Sequence, residues 1–131
     1  MIEPRIQTAV PIIGLPFPTF EKYLKARANG LGMDWGAPLI PPSMVPFFES
    51  SRAESRGKFG EKRILTIHGG DDRLVPYDQG EEDIQRIQKE VEEGDGVMKV
   101  QVMPGLGHVV TVDMVKMTAE WIWKYCLTKR A

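Results

Sequence analysis

The sequence predicts an α/β fold of about three mainly parallel strands flanked by helices, with a cap-like insertion ahead of the regular part. After Lys62, short apolar runs alternate with stretches of helical periodicity in the order strand, helix, strand, helix. The connections are a few residues long, as in βαβ units, whose strands lie parallel in one sheet. Residues 17–60, by contrast, are rich in proline, glycine and aromatics, which suits an excursion over a sheet better than a layer of one.

The first run, IQTAVPIIG (6–14), is apolar and β-branched and reads as a buried strand. Pro11 lacks a ladder donor, so this strand should end early or lie at an edge. One helix is expected where Phe20, Tyr23, Leu24 and Arg27 recur at helical spacing, and the following PLIPPSMVPFFESS holds too many prolines for a long element. RILTIH (63–68) is a short strand that stops at Gly69-Gly70-Asp71-Asp72. In the next helix Asp78 and Glu81 have capping-box spacing, Glu81, Glu82 and Asp83 suit the positive helix start, and Ile84, Ile87 and Val91 share one face. Gly94-Asp95-Gly96 ends it.

VMKVQVM (97–103) sets Met98, Val100 and Val102 against Lys99 and Gln101, an alternation expected of a strand with one face more solvated. The last helix should be capped by Thr111 and bury Met114, Met117, Trp121, Ile122 and Tyr125, with Lys129 and Arg130 beyond its negative end. Trp121 and Trp123 fall on opposite sides of it, so one of the two is expected to be buried. Met98, Met103, Met114 and Met117 read as core.

With 131 residues, 42% of them hydrophobic, the chain has the makings of one globular domain over 1–131. Seventeen Lys+Arg against eighteen Asp+Glu leave no strong field, which argues against nucleic acid or an acidic membrane surface as partner. The single cysteine, Cys126, cannot form an internal disulfide and reads as a small buried hydrophobe in a reducing compartment. No run approaches the ~20 apolar residues of a membrane span. Glu3 and Pro4 also stand where a secretory leader would be basic, so a cytoplasmic location is expected.

No cofactor or metal is expected. Two histidines and an Asp pair supply few ligands at no recognised spacing, and the GLGH glycines match neither a dinucleotide fingerprint nor a P-loop. The basic cluster Arg52, Arg56, Lys58, Lys62 and Arg63 is interleaved with glutamates and reads as a solvated linker.

In open α/β sheets functional groups gather beyond the carboxyl ends of the strands, where this sequence puts Asp71-Asp72 after one strand and His108 after the next. Neighbouring parallel strands lie about 4.8 Å apart, so side chains at their ends can hydrogen-bond across a wide sequence gap. A carboxylate that orients an imidazole makes it a general base. The plainer reading makes both aspartates turn formers, His108 a strand terminator and His68 a strand-end residue bonded locally.

HGGDDRLVP (68–76) and GLGHVVT (105–111), separated by one helix and one strand, resemble the C-terminal half of α/β-hydrolase-fold serine hydrolases. The resemblance runs from about residue 63 to 127. It implies that Asp72, in the HG-x-x-D-x-x-V-P segment, is the triad acid and that His108, in G-x-G-H, is the base. Asp71 is the rival acid, and the D-x-x-V-P spacing favours Asp72. IQTAVPIIGLP is similar to the strand that precedes a cap insertion in the dienelactone-hydrolase and prolyl-oligopeptidase-like branches, which implies a cap or lid over 17–60.

The nucleophile elbow G-x-S-x-G has no match here. AESRG (53–57) has Ala53 where the turn wants glycine and follows no apolar strand, which argues against Ser55, and Ser43, Ser50 and Ser51 fare no better. The oxyanion hole is likewise missing. Relative to the family, the chain is expected to be roughly the second half of a catalytic domain, a truncated α/β-hydrolase-like fold.

Three functions stay open. One is a hydrolase of ester, lactone or peptide-type bonds of a small organic substrate, with its serine from another copy, a separate chain or a longer product. Another is a non-hydrolytic acid/base enzyme of isomerase, lyase or cyclase type that uses His108 alone. The third is a non-catalytic remnant or binding module. Three parallel strands leave an edge and apolar surface open, so a homodimer or a complementary chain is expected to cover them.

Overall fold

The structure is a computed structural model and describes residues 4–14, 16, 24–25, 27–30 and 42–128. Strands β1 (Thr8–Ala9), β2 (Arg63–Gly69) and β3 (Val97–Met103) form one parallel sheet in the order β1-β2-β3. β2 and β3 pair along their whole length, from Arg63 opposite Val97 to Gly69 opposite Met103. As the central strand, β2 buries both faces, which is why RILTIH reads as a nearly continuous apolar run.

The two faces carry separate cores. Leu65 and Ile67 pack with Met114 and Trp121 of helix α3 (Val112–Ile122), and Val10, Ile12, Met103, Leu106, Met117 and Tyr125 close around them. Ile64 packs with Ile87 and Val91 of helix α2 (Tyr77–Glu92), beside Phe59 and Met98. The period-2 alternation of β2 thus sends odd positions to one helix and even positions, His68 among them, to the other.

The first strand keeps to the sheet edge, and its ladder is shorter than the apolar run. Thr8 and Ala9 pair with Arg63 and Ile64, then Ile12 bridges Ile67 in the same register. Between the two, Pro11 cannot donate and only accepts, from the Ile67 amide at 3.1 Å. The chain leaves the sheet at Ile13, whose φ of 50° is costly for a β-branched residue.

Most of the expected cap at 17–60 lies outside the described residues. Residues 24–25 and 27–30 are helical, and Ala28 is buried. The proline-rich run corrects the sequence reading: a 3-10 turn (Pro42–Met44) leads into helix α1 (Val45–Ser55). Pro46 stands in the first turn, where the missing amide has no helical partner to lose. Ser51 and Ser55 are buried on this helix, and the buried Lys62 ammonium donates to the Pro4 and Ile6 carbonyls, so this region is not a solvated linker.

Helix α2 begins at Tyr77, with Pro76 as its cap residue and no side-chain cap. The expected Asp78–Glu81 capping box is therefore not formed, because Asp78 is already inside the first turn. Helix α3 opens as predicted, the Thr111 hydroxyl accepting from the Met114 amide at 3.3 Å. Its buried stripe is Met114 and Trp121, with Met117 and Tyr125 partly buried against it. Ile122 is exposed, contrary to expectation, because it sits one position round from Trp121; Trp123 is exposed as well. The helix widens into a π-turn (Trp123–Leu127), and Cys126 lies off the buried stripe and is exposed rather than core. No helix among the described residues is long and apolar enough to cross a membrane.

Candidate active site

The loops that leave β2 and β3 cross at a glycine. A Cβ on Gly69 would run into the backbone carbonyl oxygens of Leu106 and Gly107, so only glycine lets the second loop lie over the first. Two bonds then fasten them, Gly70 amide to Met103 carbonyl and Asp71 amide to Leu106 carbonyl, both 2.8 Å. Gly105, at φ 71°, provides the reversal after β3 that brings His108 back toward β2.

That crossing puts Asp72 Oδ2 2.8 Å from His108 Nδ1. Asp72 Oδ1 accepts the Leu74 and Val75 amides, each at 2.9 Å, so the carboxylate has one oxygen fixed by its own loop and one turned to the imidazole. The Asp72 side chain is 1% exposed and that of His108 38%. Burial alone would raise the Asp72 pKa. The Val75 amide, the His108 hydrogen bond and the Leu74 amide outweigh it and hold the carboxyl below its ordinary value. An ionised carboxylate only accepts, so His108 Nδ1 carries the proton, and the lone pair of Nε2 is left for a reacting group.

Asp71 is exposed and contributes its backbone amide, not its side chain, to this arrangement. Ser55 ends α1, where its hydroxyl meets Arg86 Nη2 at 3.4 Å, and stands on no strand-to-helix turn. An open cleft of about 720 Å³ borders Asp72, lined by Gly70 to Arg73 with Pro76, Tyr77 and Asp78. Among the described residues no three His, Cys, Asp or Glu side chains gather to hold a metal.

His68 departs from the local bonding expected of it. It is 2% exposed, packs its ring on Tyr77, and neither ring nitrogen has a hydrogen-bond partner among the described residues. Burial pushes its pKa below the ordinary histidine value, and the negative charge of Asp72 offsets this only in part. Sequence reasoning missed this because a histidine before a glycine looks like a strand terminus. Its even-numbered place beside Ile64 and Thr66 was the available signal.

A pH dependence follows. Asp72 and His68 both have lowered pKa values, so for each the folded chain binds fewer protons than the unfolded one, and stability rises with pH. The histidine contribution is complete above about 6.5 and is lost as pH falls through the folded value; that of the aspartate is lost at lower pH. Urea unfolding should show stability falling below about pH 6.5. His68→Phe should flatten that first limb; an unchanged slope would remove His68 as its source.

No protein-family model matches the chain, and neither does any curated protein. Solved structures do. TT1662 from Thermus thermophilus superposes with a TM-score of 0.63 over 90% of this chain and 44% of that chain, at 19% identity. Two variant structures of Arabidopsis thaliana SOBER1 align at 29% identity over 61% of this chain and 36% of theirs, with a TM-score of 0.43. The chain thus spans less than half the length of each of these structures. Its three parallel strands flanked by helices are a partial α/β-hydrolase-like fold.

Proposed function

We propose that Asp72 and His108 are the acid and base of a serine-hydrolase triad acting on ester, lactone or peptide-type bonds of a small organic substrate. The observation that carries this is the 2.8 Å contact between a buried carboxylate and a half-exposed imidazole beyond the ends of adjacent parallel strands. In such a site the imidazole takes the proton of the attacking hydroxyl, and the carboxylate fixes its tautomer and stabilises the imidazolium. The nucleophile comes from outside this set of residues, from a second copy, a separate chain or a longer product. Two features suit such a covering surface. Leu74, Val109, Val110 and Val112 stand exposed beside the pair, and the outer edge of β1 is unpaired among the described residues.

A fluorophosphonate, which captures activated serines, tests the reading by mass mapping. The purified chain should give no adduct at Ser43, Ser50, Ser51 or Ser55. The assembly isolated from its native source should give one serine adduct, lost in His108→Ala. An adduct indifferent to that substitution, or none in either sample, removes the proposal.

A further inference from the structure

The buried ring of His68 has no part in the proton transfer just described. Neither of its nitrogens is hydrogen-bonded among the described residues, and a leucine or phenylalanine would fill the same space with no polar atom to desolvate. What the ring does make is one defined contact. It meets the ring of Tyr77 with centroids 4.9 Å apart and planes tilted by 56°, within the range of favourable ring pairs.

The position of that contact matters more than its strength. His68 is on the last turn of pleat of β2, and Tyr77 is the first residue of α2. The whole loop from Gly69 to Pro76 runs between them, and Asp72 sits in its middle. Because Oδ1 of Asp72 is bound to the Leu74 and Val75 amides, the carboxylate is fixed relative to the loop. The loop in turn is fixed by its two ends and by its bonds to the Met103 and Leu106 carbonyls. His108 hangs from the other strand, so the 2.8 Å contact holds only while the two loops keep register.

We propose that His68 is a positioning residue: its ring staples Tyr77 across the base of the 69–76 loop and so holds Asp72 in place against His108. This rests on reading Asp72 and His108 as an acid–base pair, and it is tested without reference to activity. The chain has two histidines, so side-chain NMR of the full chain has two imidazoles to assign. The readouts are the low-field Nδ1 proton of His108 and its nitrogen shifts, which report a single tautomer when Asp72 accepts. Neither is moved by a contact that merely adds stability.

Asp72→Asn sets the endpoint, with loss of the low-field proton. His68→Ala should reach the same endpoint in a chain whose amide spectrum is still dispersed, and His68→Phe, which keeps a ring against Tyr77, should retain the signal. Should His68→Ala fail to fold, Tyr77→Ala removes the same contact at a half-buried site and should lose the signal likewise. A folded His68→Ala or Tyr77→Ala that keeps the low-field proton and single tautomer overturns the positioning role. If Asp72→Asn itself keeps the signal, the pair is not an acid–base unit and the Proposed function falls instead.

Discussion

If Asp72 and His108 act as proposed, Asp72→Asn lowers turnover about 10,000-fold, with little change in substrate binding. The substitution is nearly isosteric, and the amide oxygen can still accept from Leu74 and Val75 where Oδ1 does now. The change falls on the other position. Where Oδ2 accepts from His108 Nδ1, the asparagine presents an N–H₂ donor. The imidazole then satisfies it by turning its lone pair inward and carrying its proton on Nε2, the nitrogen that must take the proton of the nucleophile. Geometry survives while the tautomer is wrong, so kcat should collapse and KM should stay within a few-fold. His108→Ala should fall lower still, because it removes the base itself, and adding Asp72→Asn to it should lose little more, since residues that act as a unit are not additive. Steady-state kinetics on an activated ester measure all three. A variant at position 72 that keeps kcat within tenfold of the parent would remove Asp72 from the relay.

The sheet and its two flanking helices were legible because they rest on periodicity. β2 shows as an apolar run since both its faces are covered, and α2 shows through Ile84, Ile87 and Val91, all buried. The Asp72–His108 contact was legible for a different reason: functional groups gather beyond the carboxyl ends of neighbouring parallel strands, and the D-x-x-V-P resemblance singled out Asp72 from Asp71. Where the reading failed, local chemistry had been judged without knowing the frame. Counting prolines hid α1, because a proline in the first turn is compatible with a helix that a proline in the middle would break. The capping box at Asp78 and Glu81 had the right spacing one residue too late, once Tyr77 was already helical. Cys126 and Ile122 look apolar in sequence, but their exposure is set by which side of α3 meets Leu65 and Ile67, and that side is already occupied by Met114 and Trp121.

The functional reading stops at the same physical boundary. Asp72 and His108 sit on loops whose anchoring strands are present, so their geometry can be derived. A nucleophile elbow needs a strand running into a helix through a strained turn, and of the four serines none occupies one: Ser43 is in a 3-10 turn, and Ser50, Ser51 and Ser55 ride on α1. Among the described residues the outer edge of β1 is unpaired and the valines after His108 are exposed.

Gly69→Ala should destabilise the chain by on the order of 3–5 kcal/mol. The added Cβ would press on the Leu106 and Gly107 carbonyl oxygens, which are backbone and have no rotamer to escape into. The 104–107 segment would have to withdraw, and in doing so it would break the Gly70–Met103 and Asp71–Leu106 bonds and carry His108 away from Asp72. Stability and the acid–base pair should therefore fail together, seen as a lower urea midpoint and loss of the low-field His108 proton. Two neighbouring glycines separate this from a general intolerance of bulk. At Gly70 the closest atom to a new Cβ is the Met103 oxygen at 3.1 Å, a contact that a small shift relieves. At Gly107 the nearest is the Asp71 oxygen at 3.9 Å, ordinary van der Waals distance, so Gly107→Ala should stay within about 1 kcal/mol of the parent. If Gly69→Ala proves as mild as Gly107→Ala, the loops do not cross at Gly69, and the pair is held together by something other than that crossing.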